Sequence, residues 1–503
     1  MTAVKVRLTS PFAQGMVIYL ISAILLGSVA FATPTFLGTD DYYHARISEQ
    51  IIQQRRLNVQ FPWLPLTILN EEDFVDHHLL FHLYTAPWAA VGGMNGAKLA
   101  AVSIAAGVFA GFWMLLRQVG VSWPAIWTLA LLGMSVPFVH RLLMVRAQGA
   151  ALLILIIVLM LFFGRRHRWL ILAAFAFTWL YNGFVLLIGF AVAYAAATWI
   201  AERRIEWQPV VYTIAGIILG LIINPYFPAN IAFALDHLGA KVDLESSIRV
   251  GNEWYPYSIP VLFESSGGAL LAMVLAFIAP SFRDGKRDRV ENTLMFTALI
   301  TMFMALQSRR FIEYFPAFAL LFCAVACGRI PLKSWLPALP NAKIHRLAQV
   351  ALVAAAIGIA SVALPPIYER VSDTANATDF SGAAQWLAQN SPPGARVFQT
   401  DWDDFPRLFY FNTSNTYLVG LDPTYLQIAD PELWDQWRAI VQGDVESPSV
   451  AIKQAFGTSY VISDTNHNRF EDQVRDDPGM QLVYQDQDAY VWRIDSASTT
   501  SDG

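Results

Sequence analysis

Eleven apolar runs, most of them near the length needed to cross a hydrocarbon core, constrain this chain more than any other feature. A core about 30 Å thick takes roughly 20 apolar residues in a helix. Runs of that character lie at 15–33, 96–117, 121–139, 147–164, 168–181, 183–200, 209–224, 265–282, 291–306, 311–328 and 347–364. Inside lipid no water meets the backbone N–H and C=O groups, so such segments must be helical. Composition agrees, with 15% charged residues among 503, where an ordinary globular domain carries about 25%. The expected fold is a polytopic α-helical membrane protein of about eleven spans with a soluble α/β domain at its C-terminal end. A net charge of −5 gives nucleic acid no basic surface, and no such partner is expected. Cys323 and Cys327 stand i, i+4 in one apolar run and read as small buried hydrophobes rather than a metal or redox pair.

Orientation follows from where Lys and Arg collect. With the N-terminus (Lys5, Arg7) in the cytoplasm, Arg117, "RRHR" at 165–168, Arg203/Arg204, "RDGKRDR" at 283–289 and the basic 329–346 loop all fall inside as well. That agreement requires "LLFHLYTAPWAAV" (79–91) to lie at the interface rather than span. "AFA" at 30–32 has the form of a signal-peptidase site, yet the long run and the polar cluster directly after it favour a retained helix. The expected domains are 1–364, in the membrane, and 365–503, outside it. The membrane part carries outer loops at 34–78 and 225–264. In the outer domain, "SGAAQWLAQN" and "DPELWDQWRAIVQ" predict helices with Ser381 and Asp430 as N-caps. "ARVFQT", "TYLVGL", "SYVISD" and "DAYVWRI" predict strands.

Chemistry-bearing residues collect on that outer face. "GTDDYYHARISEQI" (38–51) places Asp40 and Asp41 directly after the first span. The plain reading is an interfacial helix start with Thr39 or Asp40 as N-cap. A second cluster, "NEEDFVDHHLLFH" (70–82), adds carboxylates and imidazoles in the same loop, and His78 and His82 stand i, i+4, where they could share a helix face as metal ligands. The oxygens here suit Mg2+ or Mn2+ better than the spacing suits zinc, with Glu72, Asp73, Asp76 and His78 as candidate ligands. Arg141 and Arg146 in "PFVHRLLMVRAQG", and Arg309 and Arg310 in "QSRRFIEYF", interrupt the positive-inside pattern in short outer loops. Arginine at a membrane edge is costly unless paired, and its planar fork suits phosphate oxygens. Pairing with Glu313 or with Asp40/Asp41, or contact with membrane lipids, would also account for these arginines.

Asp40-Asp41-Tyr42-Tyr43-His44-Ala45-Arg46 resembles the D-x-Y-[YF]-[NH]-x-R stretch after the first helix of STT3-type oligosaccharyltransferases. These belong to the GT-C class of polyprenyl-phosphate-dependent glycosyltransferases. The resemblance puts Asp40, rather than Asp41, at the catalytic acid position. "SRRFIEYFPAFALL" is similar to that family's R-F-x-x-x-x-x-P stretch, which points to Arg310 with Arg309 beside it at the lipid phosphate. "VGNEWYPYS" is similar to the acidic outer-loop segment and places Glu253 there. "FQTDWDDFPRLFYFN" is loosely similar to the W-W-D-Y-G stretch; read without it, Trp402 belongs to the core and Asp403/Asp404 to a turn. One departure stands in "MVRAQG", where Gln148 replaces an expected acid after Arg146. Either the 70–73 "NEED" segment supplies carboxylates for a metal or the enzyme works without one, and the metal-free version is favoured.

The resemblance thus implies a glycosyltransferase of a bacterial-type inner membrane, inverting at the sugar and acting on the outer face. Its donor would be a polyprenyl-phosphate or -pyrophosphate sugar and its acceptor a glycan, lipid or protein. Asp40, with Asp41, would be catalytic. Arg309, Arg310, Arg146, Arg46, His44 and Glu253 would line the substrate and its lipid phosphate. A transporter or flippase of lipid-linked glycans, or a non-catalytic assembly protein, would use the same layout. The near absence of Asp, Glu and Lys from the spans, Lys98 apart, argues against ion-coupled transport.

Overall fold

The computed structural model describes residues 10–242, 251–283, 286–329, 341–376 and 380–495. Each apolar run falls on helix: α1 Pro11–Ala30, α3 Leu79–Gln118, α4 Pro124–Ala130 with α5 Val136–Leu142, α6 Ala147–Phe163, α7 Leu170–Leu180, α8 Val185–Glu202, α9 Gln208–Ile222, α11 Ile259–Ile278, α12 Arg289–Gln307, α13 Phe315–Gly328 and α14 Asn341–Ser372. The two long loops expected on the outer side hold α2 Thr39–Gln54 and α10 Ala229–Val242. The chain is thus a multi-pass membrane protein. Among the described residues, length and hydropathy qualify five of these helices as spans, or six if the bent α4–α5 pair is counted as one. The difference from eleven is largely one of length: α6, α9 and α13 are apolar but have only 10–17 residues.

Two helix breaks shape the membrane part. α3 is interrupted at Gly93 (φ 53°, ψ −133°), which sets 79–92 apart from the span that follows. Glycine is needed just beyond, because a Cβ on Gly96 would stand 1.8 Å from the Trp88 carbonyl oxygen. The α4–α5 pair bends by 99°. The Met134 carbonyl freed there accepts from Ala269 N–H (3.1 Å), across the non-helical Ser266 in α11. Ser135 and Ser266 hydroxyls bond at 2.9 Å, and Gly268 lacks the Cβ that would meet Gly133 O at 2.3 Å. Small residues let the two breaks satisfy each other, as a dry interior demands. Lys98 has a structural task, donating to the carbonyls of Thr33 (2.7 Å) and Thr35 (3.0 Å), which ties the α1–α2 turn to α3.

The C-terminal region holds a five-stranded sheet, order β2-β1-β3-β5-β4, from β1 Arg396–Gln399, β2 Thr416–Tyr417, β3 Tyr460–Asp464, β4 Met480–Gln485 and β5 Ala489–Ile494. β1 runs parallel to β2 and β3, while β5 is antiparallel to β3 and β4. Helix α15 Ser381–Asn390 precedes β1, α16 Phe405–Phe411 links β1 to β2, and α17 Thr424–Ala429 and α18 Pro431–Gln442 lie between β2 and β3. Asp430 caps α18 as expected, accepting from Leu433 N–H at 3.0 Å. Ser381 does not cap α15; the N-cap is Phe380, in a left-handed conformation. The domain docks on the first outer loop through an aromatic core in which Tyr43, Phe61 and Phe74 pack with Phe405, Phe409 and Tyr417. Backbone bonds reinforce it, from Tyr417 N to Trp63 O (2.8 Å) and from Ile68 N to Tyr425 O (3.2 Å).

Candidate active site

α2 begins at Gly38, its N-cap, rather than at Thr39 or Asp40. The Met144 side chain lies over Gly38, its Cε 2.0 Å from where a Cβ there would stand, so the 143–146 turn packs against the start of α2. That close approach brings Arg146, the N-cap residue of α6, to Asp40: its Nη2 donates to Asp40 Oδ2. Asp41 turns inward at position N3, buried and accepting from Gly38 N–H at 3.2 Å. Burial pushes its carboxyl up to about 7 against the pull of Arg146. The helix thus sorts the acid pair into an accessible Asp40, 28% exposed, and a structural Asp41.

Glu253 is the hub of the arginines. It accepts from Arg141 Nη2 (2.8 Å), Arg146 Nη1 (3.3 Å) and Arg310 Nη1 (3.1 Å). Burial opposes its charge, but Arg310, Arg146 and Arg141 hold it well below the ordinary carboxylate range. Arg141 also reaches Glu313 at 2.6 Å, and Ser308 Oγ fixes the Glu253 carbonyl at 2.8 Å. Three guanidiniums therefore face three carboxylates, Asp40, Glu253 and Glu313. Among the described residues the network leaves Arg146 Nε, Arg310 Nε and the Tyr314 hydroxyl buried without a partner, with Glu313 Oε2 as the one buried unpartnered oxygen of its carboxylates. A buried donor without an acceptor costs about 1–3 kcal/mol, so these atoms mark a place where an anion would be stabilised. Arg310 lies over Trp254 (4.9 Å) and Arg309 over Tyr257 (5.2 Å), with Arg309 Nε donating to Pro256 O (3.2 Å).

One turn along α2 from Asp40, His44 starts a buried chain. His44 Nδ1 meets His82 Nε2 at 2.7 Å, and His82 Nδ1 meets Asp76 Oδ2 at 2.7 Å. A carboxylate only accepts, so His82 donates from Nδ1 to Asp76. Burial foremost, then His82, Arg146, His77 and Arg310, holds His44 well below the ordinary imidazole value, so it is neutral.

The expected metal ligands do not gather. Glu72 and Asp73 are exposed on a turn organised by Asn70. Asp76 is spent on His82 and the His78 N–H (2.9 Å), and the His78 ring stacks on Tyr181. His78 and His82 do not act as a pair, because only His82 joins the His44 chain. Asp40 and Glu253 are held by arginines. Among the described residues no group of three or more His, Cys, Asp or Glu is disposed to hold a metal, so the donor set does not fit one. Arg46 also departs from expectation. It bonds Glu49 at 2.7 Å and the Tyr410 carbonyl, and lies over the Tyr410 ring, which fastens α2 to the outer domain. Gln148 is buried with its Oε1 unpartnered.

Asp403 is the residue that motif reading undervalued. Thr39 Oγ1 donates to it at 3.4 Å, and burial, with Asp40 nearby, pushes its carboxyl up to about 7. Trp402 borders the loop that carries Glu253, since a Cβ on Gly251 would lie 3.5 Å from its ring. The loose "WDD" match was the available signal.

No protein-family model matches the chain, and no curated protein matches it in sequence. Solved structures do resemble it. The apo Archaeoglobus fulgidus oligosaccharyltransferase superposes with TM-score 0.64 at 13% identity, over 96% of this chain and 75% of that one. ArnT from Cupriavidus metallidurans, bound to undecaprenyl phosphate, gives 0.60 at 16% identity over 95% and 97%. The mycobacterial arabinofuranosyltransferase AftD gives 0.58 at 14% identity, over 96% of this chain and 41% of that one. The chain shares the GT-C glycosyltransferase fold of these proteins.

Proposed function

We propose that the protein is a membrane glycosyltransferase that moves a sugar or glycan from a polyprenyl-phosphate or -pyrophosphate carrier to an acceptor on the outer face of a bacterial inner membrane. The observation that carries this reading is the arginine cluster with unused buried N–H donors beside an accessible Asp40. The shared fold supports it, as does the undecaprenyl phosphate bound in the ArnT neighbour.

In this reading Asp40 accepts the proton of the acceptor hydroxyl as its oxygen attacks the anomeric carbon. The bond between that carbon and the phosphate oxygen breaks, and inversion follows from attack opposite the departing group. Arg310 and Arg146, with Arg141 behind Glu253, stabilise the negative charge that develops on the lipid phosphate. Glu253 already accepts from all three arginines, so phosphate must share or displace it. The neutral His44, held by His82 and Asp76 one turn along α2 from Asp40, borders the acceptor side of the site and positions the acceptor beside Asp40. No step passes through a metal, because the carboxylates here are engaged by arginine and histidine. Incubating purified protein with polyprenyl-phosphate sugars and measuring released lipid phosphate tests the reading. Movement of intact glycolipid across a vesicle without release of phosphate would favour the flippase instead.

A further inference from the structure

A second basic site lies at the far end of α6. From Arg146 at its N-cap, α6 runs 17 residues away from Asp40, about 25 Å at 1.5 Å per residue. There the α6–α7 and α8–α9 turns border an open hollow of about 500 Å³ lined by Arg165, Arg166, Arg168, Arg204, Trp169 and Tyr212. The positive-inside pattern assigns this end to the cytoplasm.

The charges are not balanced. Glu202 is shared by Arg165 (3.1 Å), Arg204 (3.5 Å) and Arg289 (3.2 Å). Glu206 takes Arg204 and, at 3.6 Å, Arg165. Arg166 and Arg168 are exposed and have no carboxylate partner among the described residues. A second, apolar hollow of about 330 Å³ opens beside the first and shares Arg166 and Trp169 with it. It runs between α6 and α7, walled by Ile154, Ile157 and Leu161 on one side and Leu172 on the other, over the small Ala173 and Ala176. Ile154, Ile157 and Leu161 recur at helical spacing along one face, so the hollow follows the helix axis into the membrane.

We propose that these joined hollows form a binding site for one anionic glycerophospholipid of the membrane leaflet on the side opposite Asp40. The headgroup phosphate sits between Arg166 and Arg168, whose forks suit its oxygens. Trp169, 61% exposed, lies at headgroup depth as interfacial tryptophans do. An acyl chain fills the groove floored by Ala173 and Ala176. A free phosphate would satisfy the arginines alone; the continuous apolar groove is what selects the lipid.

The test uses the full chain in detergent, with native mass spectrometry reading bound phosphatidylglycerol against phosphatidylcholine of identical chains. The parent is expected to retain one phosphatidylglycerol in preference. Arg166→Gln with Arg168→Gln should weaken retention about 30-fold, from roughly tenfold or less per arginine at a membrane surface. Both side chains are exposed and unpaired, so this variant keeps the buried packing. Ala176→Trp, which blocks the groove and leaves the arginines in place, should lose the lipid too. Equal retention of the two lipids overturns the proposal, as does retention unchanged in either variant. Displacement of phosphatidylglycerol by millimolar inorganic phosphate from parent and Ala176→Trp alike would show a free-anion site and also overturn it.

Discussion

Asp40→Asn isolates the proposed proton acceptor with little other disturbance. The replacement keeps side-chain volume and leaves a carbonyl oxygen that can still accept from Arg146, but it removes the charge and the basicity. Arg146 retains Glu253 at 3.3 Å, so its guanidinium is not stranded. With Asp40 28% exposed, the loss of one ion pair should cost about 1 kcal/mol of stability. A positioned general base contributes about 10²–10⁴ in rate, equivalent to roughly 2.7–5.4 kcal/mol of barrier. The measurable signature is therefore a rate loss far larger than the stability loss. The assay follows released polyprenyl phosphate from a lipid-linked sugar, alongside thermal unfolding of the same preparation. A variant that unfolds like the parent and turns over at the parental rate would remove Asp40 from the chemistry and sink the mechanism built on it.

Arg310→Gln should raise the KM for the lipid-linked donor about 10- to 100-fold, the range expected for one charge-assisted hydrogen bond; an unchanged KM would place the phosphate elsewhere. Asp76→Asn leaves a single oxygen for two donors, His82 Nδ1 and the His78 N–H, and removes the charge behind the imidazole chain. It should lower kcat and alter the pH profile more than it changes donor KM, and an unaltered profile would reduce the His44 chain to packing. Asp41 carries a folded-state value near 7 against an ordinary 3.8, so the folded state binds its proton more tightly than the unfolded one. Its contribution to stability is thus greatest at low pH and declines as pH rises from about 4 to 7. Asp41→Asn should flatten that part of the thermal-stability profile; the same slope in the variant would assign it to another group.

The apolar runs were decisive for fold class because backbone groups in lipid have one economical solution, and every run fell on helix. Which helices span was less legible, since breaks at Gly93 and between α4 and α5 depend on what packs against them. Strand β4, "MQLVYQ", escaped notice because its middle residues are exposed and lack clean alternation; its pairing with β5 is a tertiary fact. Phe380 takes the N-cap of α15 in place of Ser381 for a similar reason, because its side chain is buried in the core beneath the helix.

For the site, local sequence determined that α2 starts beside the membrane and that Asp40 and His44 share its face, consequences of cap position and helical period. It also supplied the arginines, in loops too short to escape the membrane edge. Only the tertiary structure decided their partners. Arg46 and Arg146 are equally plausible phosphate ligands as residue types, yet one fastens the C-terminal domain and the other meets Asp40, because the 143–146 turn packs on the start of α2. Asp76 was an expected metal ligand until its distance to His82 made it the anchor of an imidazole pair. Charged groups in a low-dielectric site take their roles from their nearest partners, and residues 40, 146, 253 and 310 become partners only through the fold.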